Sequence, residues 1–325
     1  MSGTDALAHV EVAYEVAGRA GLSLHGTVED YHTSGAWNAL GVAAMAARMR
    51  KLSKEQLRQA LGIAEYHGPR SQMMREIANP TMLHDGSGMG AFVGISAAIM
   101  AEQGFTGAPA ITVESEQTSV YWSDLGQDWL VTRQYVKPYP ICRWAHGAID
   151  ATRKVMQDHD LQPEQIETIE VRTFREGVAL FQGIPDTTSR AQYSLPFAVA
   201  AYVLNGKIGV EQISGEGLSD SRVHEMISRI RVCESNDHNA RFPAQRTADV
   251  TVTLTDGTKL ESGLVDARGG SDTPFSRAEI VEKYDSFAEQ FAGQNRSRDI
   301  KDVLMGLTDP NSRLSDLNNL IFEPL

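Results

Sequence analysis

The stretch Ile169-Glu170-Val171-Arg172-Thr173 decides the fold. Its β-branched residues alternate with charged ones, the period-2 pattern of a strand with one wet face. The same alternation recurs downstream. Ile230 and Val232 alternate with Arg229 and Arg231, and Val250, Val252 and Leu254 line a third face ahead of Asp256-Gly257, a pair suited to a tight hairpin. Helices are expected among these strands at roughly 147–158 and 194–204, so the middle of the chain reads as α+β.

Away from this centre the period changes. From about Ala6 to Gly107, Ala-rich helical segments alternate with Gly-rich loops and no strand pattern stands out. Ser53 and Gln56 are spaced as a capping box, with Leu52 and Leu57 in the staple positions and Leu57, Leu61 and Ala64 as one buried stripe. After Arg268-Gly269-Gly270 a second box, Ser276 with Glu279, opens a helix whose apolar stripe is Ile280, Tyr284, Phe287 and Phe291. Two shorter helical segments follow, separated by Asp309-Pro310-Asn311. Helical, then mixed, then helical is the signature of an inserted domain.

Composition narrows the function. A chain of 325 residues with 42% hydrophobic residues buries a sizeable core. The longest apolar stretch, Ser194 to Leu204, falls short of the ~20 residues that cross a bilayer. Residues 1–6 show no signal-peptide pattern, so a cytoplasmic protein without membrane association is expected. Cys142 and Cys233 stand far apart, which argues against disulfides and thiolate metal cages. A net charge of −12 disfavours nucleic acid, and any acidic substrate would need a local cationic pocket. No H-x-x-x-H spacing suggests a metal, and no G-x-x-x-x-G-K-[ST] run suggests a nucleotide.

Three segments together resemble the MmgE/PrpD family: His32-Thr33-Ser34-Gly35-Ala36-Trp37, Lys137-Pro138-Tyr139-Pro140-Ile141-Cys142-Arg143-Trp144-Ala145-His146, and Ala191-Gln192-Tyr193-Ser194-Leu195-Pro196-Phe197. Gly104 to Pro109 and the region from Asp256 to Pro274 fit the same family in order and spacing. The resemblance implies a mainly α fold with an inserted α+β lid: a helical domain at 1–136, the lid at 137–273, and C-terminal helices at 274–325 that return to the helical domain. It implies a cofactor-independent lyase working next to a carboxylate of a small polycarboxylic acid, in the manner of 2-methylcitrate dehydratase, with epimerisation or decarboxylation as other outcomes. It also implies a homodimer. Met1 falls where a family chain would already have passed several helices, so the N-terminal helices are expected to be missing. A noncatalytic member, or one subunit of a split enzyme whose helices come from a separate chain, is the competing reading.

Proton abstraction beside a carboxylate needs a base and groups that hold the developing charge. With the resemblance, His146, His32 and His84 are the catalytic candidates, and Arg143, Lys137, Ser34, Tyr193 and Ser194 the substrate-binding ones. Each has a plainer role beside it. His32 could cap the next helix, and His146 could be a packed core histidine. Lys137 and Arg143 could be solvated charges, and Ser194 an N-cap. His84 precedes the small-residue run Gly86-Ser87-Gly88-Met89-Gly90, which suits close helix packing as well as a site. Tyr121, Trp122, Trp129 and Tyr135 read as core aromatics.

Overall fold

The computed structural model describes residues 1–322 and 324. The chain forms two compact units: Met1–Glu76 with Leu83–Gln134 and Ala288–Leu325, and Ile77–Met82 with Tyr135–Phe287.

The first unit is helical. Its main elements are α1 (Gly3–His25), α2 (Gly35–Met49), α3 (Lys54–His67) and α4 (Ser87–Glu102). Ser53 and Gln56 form the capping box that starts α3. The core between α2, α3 and α4 is built almost wholly from alanine, including Ala39, Ala43, Ala60, Ala64, Ala97 and Ala98, with Ile63 among them. Such short side chains let backbones approach closely. At Gly94 of α4 an added Cβ would stand 2.5 Å from the Ala39 carbonyl oxygen of α2, so only glycine fits.

Arg19 of α1 is fully buried among polar partners rather than alanines. It donates to Glu15 Oε2 at 3.3 Å, to the Tyr121 and Asp128 carbonyls at 2.8 and 2.7 Å, and to Asp124 at 2.5 Å. Glu15 in turn accepts from the Val131 amide at 2.8 Å. Arg19, paired with Glu15 and Asp124, thus ties α1 to the irregular segment at 121–131.

The second unit holds the sheet. Its strands are β1 (Ile166–Thr173), β2 (Ile230–Glu234), β3 (Thr247–Leu254), β4 (Lys259–Glu261) and β5 (Val265–Asp266). The order is β2-β1-β3-β4, with β5 also on β3. β1 and β2 are parallel, whereas β3 runs antiparallel to β1, β4 and β5. Ile169 and Val171 are buried while Glu170 and Arg172 are exposed, as the alternation requires. The turn after β3 closes with the Gly257 amide on the Leu254 carbonyl, and Gly257 takes φ +85°, which a side chain would strain. Helices α5 (His146–Asp158) and α6 (Leu195–Asn205) cover the sheet's inner face, and α6 is buried along almost its whole length.

Helix α7 (Arg277–Ala292) begins in the second unit at the expected Ser276–Glu279 box, with the Glu279 carboxylate 2.8 Å from the Ser276 amide. Its apolar stripe is only partly covered. No residue of α7 is fully buried, and Ile280 and Phe291 are 44% and 76% exposed. Periodicity shows which face is apolar; it does not supply a neighbour to cover that face. Helices α8 (Gln294–Met305) and α9 (Leu314–Phe322) belong to the first unit, where the Gly3 amide meets the Ser312 carbonyl at 3.2 Å. Among the described residues no helix is long and apolar enough to cross a membrane.

Candidate active site

In the mixed unit, candidate residues gather where the chain enters α5. The segment Arg143–Ala145 forms a single 3₁₀ turn before His146 opens the helix. Residues three apart on such a turn share a face. Arg143 and His146 meet accordingly, and they meet on Tyr135. The Tyr135 hydroxyl lies 2.8 Å from His146 Nδ1, and the Arg143 guanidinium carbon stands 3.8 Å from the Tyr135 ring centroid.

His146 has no exposed surface. Its Nε2 lies 3.0 Å from the Ile141 carbonyl oxygen, which can only accept, so this nitrogen carries the proton and Nδ1 receives the Tyr135 O–H. Burial lowers the His146 pKa to about 3, helped by the charges of Lys137, Arg143 and Lys283. The ring is therefore neutral at working pH with both nitrogens engaged. Of the two roles expected for His146, a catalytic one and that of a packed core histidine, the geometry gives a buried ring held by its neighbours, with the half-buried Tyr135 in front of it. Burial also pushes the Tyr135 phenol pKa up, partly opposed by Arg143, so the hydroxyl keeps its proton.

A buried carboxylate braces the other side. Asp150, one turn on from His146, accepts from the Tyr139 hydroxyl and the Arg268 amide, each at 2.9 Å. The Tyr139 ring meets His146 edge-on at 5.3 Å, so Asp150 fixes the ring that walls the histidine. Desolvation and the neighbouring Asp150 raise the Tyr139 pKa as well. Lys137 is exposed close by in sequence.

Tyr193 and Ser194 lie elsewhere in this unit and are buried. Ser194 Oγ accepts the Phe197 amide at 3.3 Å and caps α6. With no exposed surface, this hydroxyl has a structural role as the cap of α6, the plainer of the two roles expected for it.

In the helical unit, His32, Ser34 and His84 fall around the starts of α2 and α4. His32 is nearly buried, and its Nδ1 donates to the Asp30 carbonyl at 2.9 Å, which leaves Nε2 as the acceptor nitrogen. That nitrogen faces the Asp30 carboxylate at 4.0 Å. Ser34 Oγ lies 2.9 Å from Ser87 Oγ and 3.3 Å from Asp85 Oδ2. His84 is exposed and starts three consecutive residues at positive φ, followed by Asp85 and Gly86. Only the last is a glycine, so the backbone at 84–85 is held in a strained form. Ser34 and, on α2 itself, Asn38 join the start of α2 to this loop through Ser87 Oγ.

Sequence reasoning missed Tyr135 and Asp150. Tyr135 reads from the sequence as a core aromatic, and nothing in its neighbours distinguishes a packing tyrosine from one held by a histidine eleven positions on. Asp150 sits on a helix between Ile149 and Ala151 and gives no local sign of burial.

The helical unit, the mixed unit with its α5 entry and the Tyr135–His146–Arg143 cluster define a two-part α and α+β protein with a cationic, phenol-bearing site. Family comparison gives the class its name. Residues 1–128 match the MmgE/PrpD N-terminal domain and residues 139–307 the MmgE/PrpD C-terminal domain, so the chain belongs to the MmgE/PrpD family. It is similar to the cis-aconitate decarboxylase of Mus musculus, 24% identical over 332 residues, and to that of Homo sapiens, 23% identical over 329. These alignments cover 95% of this chain but 66% and 67% of the two relatives.

Proposed function

We propose that this protein is a cofactor-independent lyase acting beside a carboxylate of a small polycarboxylic acid. The observation that carries the reading is a protonated phenol, Tyr135, held between the Arg143 guanidinium and neutral His146 in a chain of net charge −12. A guanidinium stays charged at every working pH and suits a carboxylate. Arg143 and Lys137 would hold the acid, so that electron density left on the carbon beside the carboxylate spreads into it and is met by fixed positive charge.

Two outcomes of that carbanion are distinguished by what else is needed. Dehydration, the outcome expected from the sequence, needs a base to take the carbon-bound proton before hydroxide leaves. Decarboxylation needs no base: CO₂ leaves, the electron pair stays on carbon, and an acid returns a proton. Tyr135 is an acid that remains protonated in the neutral range and regains its proton from water. The names of the two relatives favour decarboxylation. A homodimer belongs to the same proposal and is read from the mass in solution.

The test is proton NMR in deuterated buffer with citrate, 2-methylcitrate, cis-aconitate and aspartate-derived acids. Loss of CO₂ or of water, or solvent deuterium entering carbon, is the expected result with at least one acid. A folded sample that does none of these with any of them overturns the reading in favour of a noncatalytic or half-site protein.

A further inference from the structure

Asp150 is 1% exposed on α5, between Ile149 and Ala151, both completely buried. Burying a charge is costly, and an apolar residue of similar volume would spare that cost. What the carboxylate supplies is direction. Its Oδ1 accepts the Tyr139 hydroxyl at 2.9 Å and has Arg153 Nε at 3.4 Å, while Oδ2 accepts the Arg268 amide at 2.9 Å. Arg268 Nε, 3.6 Å from Oδ1, adds positive charge without a hydrogen bond.

Tyr139 is held at its other end by the chain. It stands between Pro138 and Pro140, and a residue that precedes proline is confined to extended backbone. Its backbone is therefore stiff, and its hydroxyl is tied to Asp150. The segment that carries it makes two of the contacts that aim His146. The Tyr139 ring meets the imidazole edge-on at 5.3 Å, and the Ile141 carbonyl accepts Nε2–H at 3.0 Å. Just beyond, the Cys142 amide donates to the Gln192 carbonyl at 2.7 Å. Residues 139–142 are thus pinned at both ends, and Asp150 is the pin that a single side chain provides.

We infer that Asp150 is a positioning residue of the reaction: through Tyr139 it aims His146, and through His146 the hydroxyl that Tyr135 presents to a solute. This rests on the reading of Tyr135 as the acid and extends it. An acid acts only from the right place, and an imidazole turned off its axis leaves the phenol free to swing away from the reacting atom. Asp150 and Tyr139 are both buried, so the effect falls on the chemical step and not on capture of the substrate.

Two variants of the whole chain test it. Tyr139→Phe cuts the tie and keeps the ring, whereas Asp150→Asn keeps the shape and removes the charge. In each, kcat for a turned-over acid should fall by about 10- to 100-fold with KM within about threefold, the size of effect a misplaced group produces. The double variant should fall no further than the lower single one, because the two residues act in series. Nitrogen-15 NMR of histidine-labelled protein needs no turnover: the His146 Nδ1 signal should move in both variants toward that of a nitrogen accepting no hydrogen bond. In Tyr139→Phe, an unchanged kcat with an unchanged Nδ1 signal overturns the inference. So does a KM raised tenfold at constant kcat, which belongs to a binding residue. A Tyr139→Phe protein that unfolds, or whose sole change is a lower thermal midpoint, makes the tie structural and overturns it too; where Asp150→Asn does not fold, Tyr139→Phe decides alone. If wild type turns over no acid while the Nδ1 signal still moves, the lyase reading fails and the aiming of His146 by Asp150 stands.

Discussion

The Tyr135 hydroxyl donates to Nδ1 of His146 across 2.8 Å, and the histidine, sealed from solvent, donates its own Nε2–H to the Ile141 carbonyl. That pairing makes the histidine a holder and the tyrosine the group presented to a solute. Removing the phenolic oxygen should then remove chemistry and leave the fold. Tyr135→Phe is expected to lower turnover or exchange by 10²–10⁴, the usual size of a general acid–base contribution, with an unchanged circular dichroism spectrum. A variant within twofold of wild type would place the chemistry elsewhere.

His146 also fixes an acid limit on stability. Its pKa falls from the ordinary 6.5 to about 3 on folding, so the unfolded chain binds a proton that the folded chain refuses. The stabilisation is fully present above pH 6.5 and is lost as pH falls toward 3, by up to about 1.4 kcal/mol per pH unit. Urea midpoints between pH 7 and 4 should drop more steeply for wild type than for His146→Gln, which has no proton to gain. Parallel curves would contradict the buried neutral ring.

Arg19 offers a stability test far from any chemistry. Arg19→Met leaves Glu15 buried without its cation and frees the Tyr121, Asp124 and Asp128 acceptors. A loss of about 3–5 kcal/mol in urea unfolding is expected, the usual consequence of breaking a buried pair from one side. A change below 1 kcal/mol would mean that the segment 116–134 is held by other contacts.

For Ser194 the structure separates two roles that the sequence left side by side. As the cap of α6, Ser194→Ala should cost about 0.5–2 kcal/mol of stability and leave KM for a turned-over acid unchanged. A KM raised tenfold at unaltered stability would return Ser194 to the substrate.

Much of this was legible from local pattern. Ser53 with Gln56, Ser276 with Glu279 and Asp256-Gly257 each act within four residues, and the alternation at Ile169 to Thr173 needs only the backbone's own period. The spacing also brought Arg143 and His146 together, because a short turn fixes residues three apart.

Sequence by itself therefore determined the helical and mixed regions, their caps and turns, and the meeting of Arg143 with His146 at the start of α5. Tertiary structure alone decided that β1 pairs in parallel with β2, that the α7 stripe is only partly covered, that His146 is sealed behind Tyr135, and that Glu279 is drawn to Arg268. The physical reason is range: capping and strand alternation are settled by bonds within a few residues, whereas burial and the choice among charged partners depend on which distant segments the fold brings together.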